Sequence, residues 1–154
     1  MAQSHSAYCT FDKETRVRDF LNAAFGGASP GKIEDFVVQG ATYRGAVTRG
    51  EEVPIQEWAE LSHVVRGLIG PTTFSVTHKV EDADWISMRI HITARRLGNS
   101  KQIEGYDSLM VRFEGDRIAE YIGHMDYITF FEQLGLVPAG ALHACLSGQR
   151  LVWE

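Results

Sequence analysis

Alternating residues of a strand point to opposite sides, so a polar side chain that shares its side with large apolar ones is placed to work in an interior. Asp107 shares its side with Leu109, Val111 and Phe113, and His78 shares its side with Phe74, Val76 and Val80. A carboxylate among such neighbours is costly unless paired, so Asp107 is expected to meet Arg89, a histidine or a tyrosine hydroxyl. A buried imidazole needs only partners for its two ring nitrogens, which gives His78 a plain structural use as well as a chemical one. Between these two, Ile86, Met88, Ile90 and Ile92 form one side of a strand while Ser87, Arg89, His91 and Thr93 form the other. The polar row is either a solvated face, common in antiparallel sheets, or a set of donors lining a cavity. His124 and Asp126 close the last strand. Asp126 suits two uses: capping the next helix, which lowers its pKa, or serving as a general base for a carbon acid, which wants burial to raise it.

The elements that must position these groups are legible from periodicity. Val17, Phe20, Leu21, Ala24 and Phe25 recur at helical spacing, with Asp12 as the N-cap and Gly26-Gly27 as the stop. Ser29 and Pro30 predict a shorter helix carrying Ile33, Phe36 and Val37, followed by a brief extended segment from Ala41 to Gly45. Pro54 opens a third helix with Ile55, Trp58, Leu61, Val65, Leu68 and Ile69 on its apolar side, closed by Gly70-Pro71. From Thr72 the period becomes two, predicting strands near 72–81, 85–97, 102–114 and 116–125 separated by tight turns, an antiparallel meander. A last helix presents Phe130, Phe131 and Leu134 and ends at Gly135 before Pro138. Helices first and hairpin strands afterwards predict an α+β fold with helices on one face of a curved, mostly antiparallel sheet.

The 154 residues, 44% hydrophobic and 23% charged with 4 prolines, exclude a disordered or collagenous chain. One domain over 1–154 is expected, with 1–10 a flexible leader and 139–154 a C-terminal tail. A net charge of -5 with 15 scattered Lys and Arg argues against nucleic acid as a partner. Cys9 and Cys145 fit neither a secreted disulfide scaffold nor a zinc site, and free thiols are expected. With no secretory signal at the start and no apolar run near the roughly 18 residues of a membrane span, a cytoplasmic protein without a membrane partner is expected. The absence of a Gly-rich phosphate loop and of a Gly-x-Ser-x-Gly elbow sets nucleotide and serine-hydrolase chemistry aside, and no cofactor is expected.

The run Gly123-His124-Met125-Asp126-Tyr127, with Gln133-Leu134-Gly135-Leu136 and Pro138 behind it, resembles the end of SnoaL-like polyketide cyclases of the nuclear transport factor 2-like superfamily. That resemblance covers nearly the whole chain and implies an α+β cone. In those cyclases an aspartate at the Asp126 position is implied as the acid/base group beside a carbonyl during ring closure. Limonene-type epoxide hydrolases share the cone and add Arg-x-Asp and Tyr-x-Asn pairs. Here Arg89 is followed by His91, and Tyr43 by Gly45, so the second member of each pair departs from the pattern.

The resemblance therefore implies a cofactor-independent cyclase, isomerase or hydrolase in which Asp126 is the general acid/base and Arg89 stabilises an enolate or alkoxide. His91 and Tyr43 would relay a proton, with His78, Asp107 and His124 nearby. Phe20, Trp58, Phe74, Ile122 and Phe130 would wall a pocket for a largely apolar, oxygen-bearing small molecule. Asp126→Asn should then keep the fold and abolish turnover. The rival is a non-catalytic ligand-binding or dimerisation module, in which the row from Ile86 to Ile92 packs on a second copy in a homodimer. An enzyme should hold Asp126 inside the cavity beside Arg89 or His91, whereas a module could leave it capping a helix in solvent. A metal site built on His124, Asp126 and His143, with His91 as a substitute ligand, has poor spacing, and no metal is expected. The tail, with Leu142, Leu146, Leu151, Val152 and Trp153, is expected to pack over the cone mouth or against a partner.

Overall fold

Asp12 starts the first helix as expected, its carboxylate accepting the Glu14 backbone N–H at 3.2 Å and the Thr15 hydroxyl at 2.6 Å. Helix α1 spans Lys13–Phe25 and buries Val17, Phe20, Leu21 and Ala24. The computed structural model describes residues 11–25 and 32–152, so the expectations placed on Cys9, Gly26-Gly27, Ser29, Pro30 and Trp153 lie outside the described residues.

The second predicted helix does not reach Val37. Among the described residues of that segment a single 3-10 turn forms, Ile33–Asp35, and Val37 already belongs to strand β1, Val37–Gly45. That strand pairs in parallel with the last strand, Val37 opposite Ile118 and Tyr43 opposite Tyr121, and this pairing overrides the local helical pattern. After a second 3-10 turn, Ala46–Thr48, and the short β2, Val53–Pro54, helix α2 runs Ile55–Arg66 and buries Ile55, Trp58 and Ser62. It stops before the expected Gly70-Pro71, and Ile69 instead bridges to Arg96.

The meander follows the predicted period closely: β3 Thr73–Asp82, β4 Trp85–Arg95, β5 Gln102–Glu114 and β6 Arg117–Met125. Among the described residues the sheet has six strands in the order β2-β1-β6-β5-β4-β3, and every neighbouring pair is antiparallel except β1 with β6. Helix α3, Tyr127–Gln133, follows β6 directly, and a short α4, Ala141–Leu146, forms within the predicted tail. The α+β cone expected from sequence is the observed architecture, with helices on one face of a curved sheet. No helix among the described residues is long and apolar enough to cross a membrane.

Two corrections follow from which face is covered. Ile86, Met88, Ile90 and Ile92 are buried in one core with Val17 and Phe20 of α1 and Ile55 and Trp58 of α2. The apolar row therefore faces the helices and is not free to form a homodimer. Ser87, Arg89, His91 and Thr93 consequently lie on the outer face and do not line the cavity. His78 is also corrected. The β3–β4 register shifts between Val76, opposite Ile90, and His78, opposite Arg89. The extra residue, Thr77, turns His78 to the outer face, where it is exposed.

The tail touches the body through Ala141, which is buried and whose backbone N–H donates to Glu132 Oε1 at 2.9 Å. Leu142, Leu146, Leu151 and Val152 are exposed, so these side chains do not pack as expected.

Candidate active site

A hollow of about 220 Å³ lies between the inner face of the sheet and the helices. Its walls include Trp58 of α2, Phe74 of β3, Ile90 of β4 and Phe130 of α3. Phe20 stands behind this wall, stacked on Trp58 with ring centroids 5.3 Å apart. Ile122 is displaced from its expected place: it pairs with the exposed Met110, while its neighbours Tyr121 and Gly123 line the hollow.

Strand parity puts one carboxyl into this apolar space. Asp107 sits opposite Ile90 on β5, on the side of Leu109 and Val111, and lines the hollow beside Tyr43, Tyr121 and Tyr127. Its Oδ1 accepts the His124 backbone N–H at 3.0 Å, and its carboxyl is hydrogen-bonded to the Tyr121 hydroxyl. Burial pushes its pKa up to about 6 against these opposing hydrogen bonds. The same burial, reinforced by the nearby carboxylate, raises Tyr127 to about 12 and holds Tyr43 and Tyr121 further up. The site thus joins a carboxyl that titrates near neutrality to three phenols that stay protonated.

Two Tyr-x-Gly segments in parallel register position two of these phenols, Tyr43 opposite Tyr121 and Gly45 opposite Gly123. Each ring leans along its strand over the glycine two residues on. A Cβ added at Gly123 would lie 2.8 Å from the Tyr121 ring, and one added at Gly45 would overlap the Tyr43 hydroxyl. Trp58 stacks on both rings, 5.7 Å from Tyr43 and 5.2 Å from Tyr121, and completes the cluster. Gly45→Ala should destabilise the protein by about 1–3 kcal/mol, the usual cost of overpacking, as read by urea unfolding.

The residues expected to carry the chemistry gather elsewhere. Asp126 is the N-cap of α3, its carboxylate accepting the Thr129 backbone N–H at 3.1 Å and the Thr129 hydroxyl at 2.6 Å. The Thr129 hydroxyl and then its backbone N–H hold the Asp126 pKa below the usual carboxylate value. Met125 points inward and lines the hollow, so the residue after it turns outward. Asp126, Arg89 and His124 do share a groove, but an open one on the outer face. There the Arg89 guanidinium lies 4.0 Å over the Tyr106 ring, and the His91 ring sits 4.9 Å from the same ring. The buried Nε2 of His91 has no hydrogen bond, with a Glu104 carboxylate oxygen 3.7 Å away. Asp126→Ala should cost about 1 kcal/mol, a typical N-cap loss, measurable by chemical denaturation.

Of the predicted site residues, the hollow therefore collects Tyr43, Asp107, Trp58, Phe74 and Phe130, and the outer face takes Asp126, Arg89, His91, His78, His124 and Ile122. Sequence reading missed Tyr121 and Tyr127. The repeated Tyr-x-Gly spacing was the signal available for the first, and none marked the second. Among the described residues no group of three or more His, Cys, Asp or Glu side chains is gathered as a metal site.

No protein-family model and no curated protein sequence matches this chain. Solved structures match its fold. IdmH from Streptomyces antibioticus, a proposed polyketide cyclase, is 17% identical with a TM-score of 0.66, over 80% of this chain and 99% of that one. A proposed SnoaL-like polyketide cyclase from Jannaschia is 15% identical with a TM-score of 0.63, over 81% and 92% of the two chains. A hypothetical protein of ketosteroid isomerase-like fold from Catenulispora acidiphila, in complex with trimethylamine, is 12% identical with a TM-score of 0.64, over 82% and 96%. The chain shares the ketosteroid isomerase-like, nuclear transport factor 2-like cone fold with these proteins.

Proposed function

We propose that this chain, starting from the cone fold it shares with those cyclases, is a cofactor-independent acid/base enzyme of the SnoaL-like cyclase and isomerase type. Its substrate is a largely apolar small molecule with a carbonyl, bound in the hollow. One observation carries the reading: Asp107 is a carboxyl that lines an apolar cavity beside Tyr43, Tyr121 and Tyr127, where burial pushes its pKa up to about 6. This moves the acid/base role from Asp126, whose capping bonds favour its ionised form and lower its pKa, to Asp107.

The chemistry follows from the two kinds of group. The Asp107 carboxylate removes a proton from the carbon next to the substrate carbonyl and becomes the neutral acid. The electron pair moves onto the carbonyl oxygen, where the hydroxyls of Tyr43 and Tyr127 donate hydrogen bonds to the enolate. Their raised pKa keeps them donors across the working range. In a cyclase the enolate carbon then attacks a second carbonyl carbon of the substrate, whose C=O π pair becomes an alkoxide that takes the proton from Asp107; in an isomerase a conjugated enolate is reprotonated by Asp107 at another carbon. Tyr121 orients Asp107 through its hydrogen bond and lowers the cost of the ionised form.

The module reading draws on the solvent position of Asp126, since a binding domain has no use for an interior base. Asp107 answers it by supplying an interior carboxyl from another strand. Proton exchange separates the two readings. In D2O at pH 7 the protein should accelerate deuterium uptake next to the carbonyl of 1-tetralone, saturably, as followed by proton NMR. Ligand binding without accelerated exchange would leave the module.

A further inference from the structure

Among the described residues lining the hollow there is no lysine, arginine or histidine, and Asp107 is the single carboxyl. Ser62 and Thr72 also line it, but their hydroxyls are turned to backbone carbonyls, Ser62 to Ala59 at 2.8 Å and Thr72 to Gly70 at 3.4 Å. The other polar side chains that line the hollow are Asp107, Tyr43, Tyr121 and Tyr127, and the Tyr121 hydroxyl is bonded to Asp107. An anion brought here would lose its hydration, find no counter-charge and meet a carboxylate. An uncharged carbonyl oxygen, by contrast, needs only one or two hydrogen-bond donors. Volume sets the second limit. A cavity of about 150 Å³ holds one benzene, so about 220 Å³ takes a substituted ring or a two-ring skeleton. Flat aromatic walls from Trp58, Phe74 and Phe130 suit a rigid ring better than a flexible chain, which would lose rotational freedom on binding.

We infer that the substrate of this hollow is an uncharged carbonyl compound of one or two rings, and that the same skeleton bearing a carboxylate is refused. The inference rests on the hollow being the substrate site, but not on Asp107 performing catalysis there.

Calorimetric titration of the whole chain at pH 8 tests it with 1-naphthamide and 1-naphthoate, which match in skeleton and differ in charge. At that pH Asp107, which faces Tyr121 from β6, Tyr43 from β1 and Tyr127 from α3 and lies near the His124 imidazole, is ionised. The amide should bind at least tenfold tighter than the carboxylate, and Asp107→Asn should narrow that ratio. 1-Tetralone should displace the amide, and the four-ring ketone estrone should not. Equal affinities for amide and carboxylate, displacement by estrone as effective as by 1-tetralone, or no binding of either two-ring neutral compound would each overturn the inference. Binding in the expected order without proton exchange would instead sink the acid/base assignment and leave this one standing.

Discussion

Asp107→Asn should lower the rate of proton exchange at 1-tetralone by about 10²–10⁴-fold, the span usually lost with a positioned general base. The amide keeps the shape of the carboxyl and one acceptor oxygen for the His124 backbone N–H but cannot take the proton, so binding of the ketone should persist while turnover falls. The parallel variant Asp126→Asn should exchange within about twofold of the parent, because that carboxylate faces the outer groove and is engaged by Thr129. The pair of variants reverses the expectation drawn from sequence resemblance, and each controls for the other. Full activity in Asp107→Asn, or loss confined to Asp126→Asn, would return the acid/base role to Asp126. The pH profile gives a second reading of the same base. In the parent, kcat/KM should rise tenfold per pH unit below about 6 and level off above it, as Asp107 ionises. Tyr121→Phe removes a hydrogen bond that favours the ionised form, so the midpoint of that rise should move to higher pH.

The second large effect is on stability, and it has the opposite sign to the activity. Asp107 titrates at about 6 in the folded protein against 3.8 for the free side chain. Between those values the native state holds a proton that the unfolded state has released, so stability falls as pH rises. Below about pH 4 both states are protonated and the contribution is whole; above about pH 6 both are ionised and it is lost. A shift of about two pH units corresponds to about 3 kcal/mol. The Asn variant, neutral throughout, should match the parent near pH 4 and exceed it by up to about 3 kcal/mol at pH 8 in urea unfolding. Parallel stability curves for the two proteins from pH 4 to 8 would show that the carboxyl is not desolvated. The capping carboxylates Asp12 and Asp126 act in the other direction. Both are held below the usual value by side-chain bonds to threonine, so their contribution is present at neutral pH and fades as pH falls below about 4. Comparing Asp107→Asn with the parent cancels that background. An interior carboxyl retained at a cost in stability is the trade that a catalytic role for Asp107 would require.

The Asp107 carboxylate is therefore less stable in place than its neutral counterpart, and the surrounding packing must hold it. Trp58 bridges the two tyrosines of the inner sheet face, Phe20 supports Trp58, and the glycines at 45 and 123 leave room for the phenol rings. These contacts bring together α1, α2, β1 and β6, elements widely separated in sequence.

Strand periodicity alone determined the four long strands, the hairpin order and the side that Asp107 shares with Leu109, Val111 and Phe113, because a period of two is a local property of the backbone. The caps at Asp12 and Pro54 were legible for the same reason. Only the tertiary structure decided which sheet face the helices cover, and hence that Ile86 to Ile92 point inward and Arg89 and His91 outward, since either face of that strand satisfies its backbone hydrogen bonds equally. A single bulge residue at Thr77 carried His78 across the sheet, and the end of β6 after Met125 turned Asp126 out of the hollow. Neither leaves a mark in residue spacing, because each depends on how a neighbouring strand or helix takes up the chain. The parallel pairing of β1 with β6 likewise joins segments some eighty residues apart, and it sets Tyr43 beside Tyr121 above Asp107.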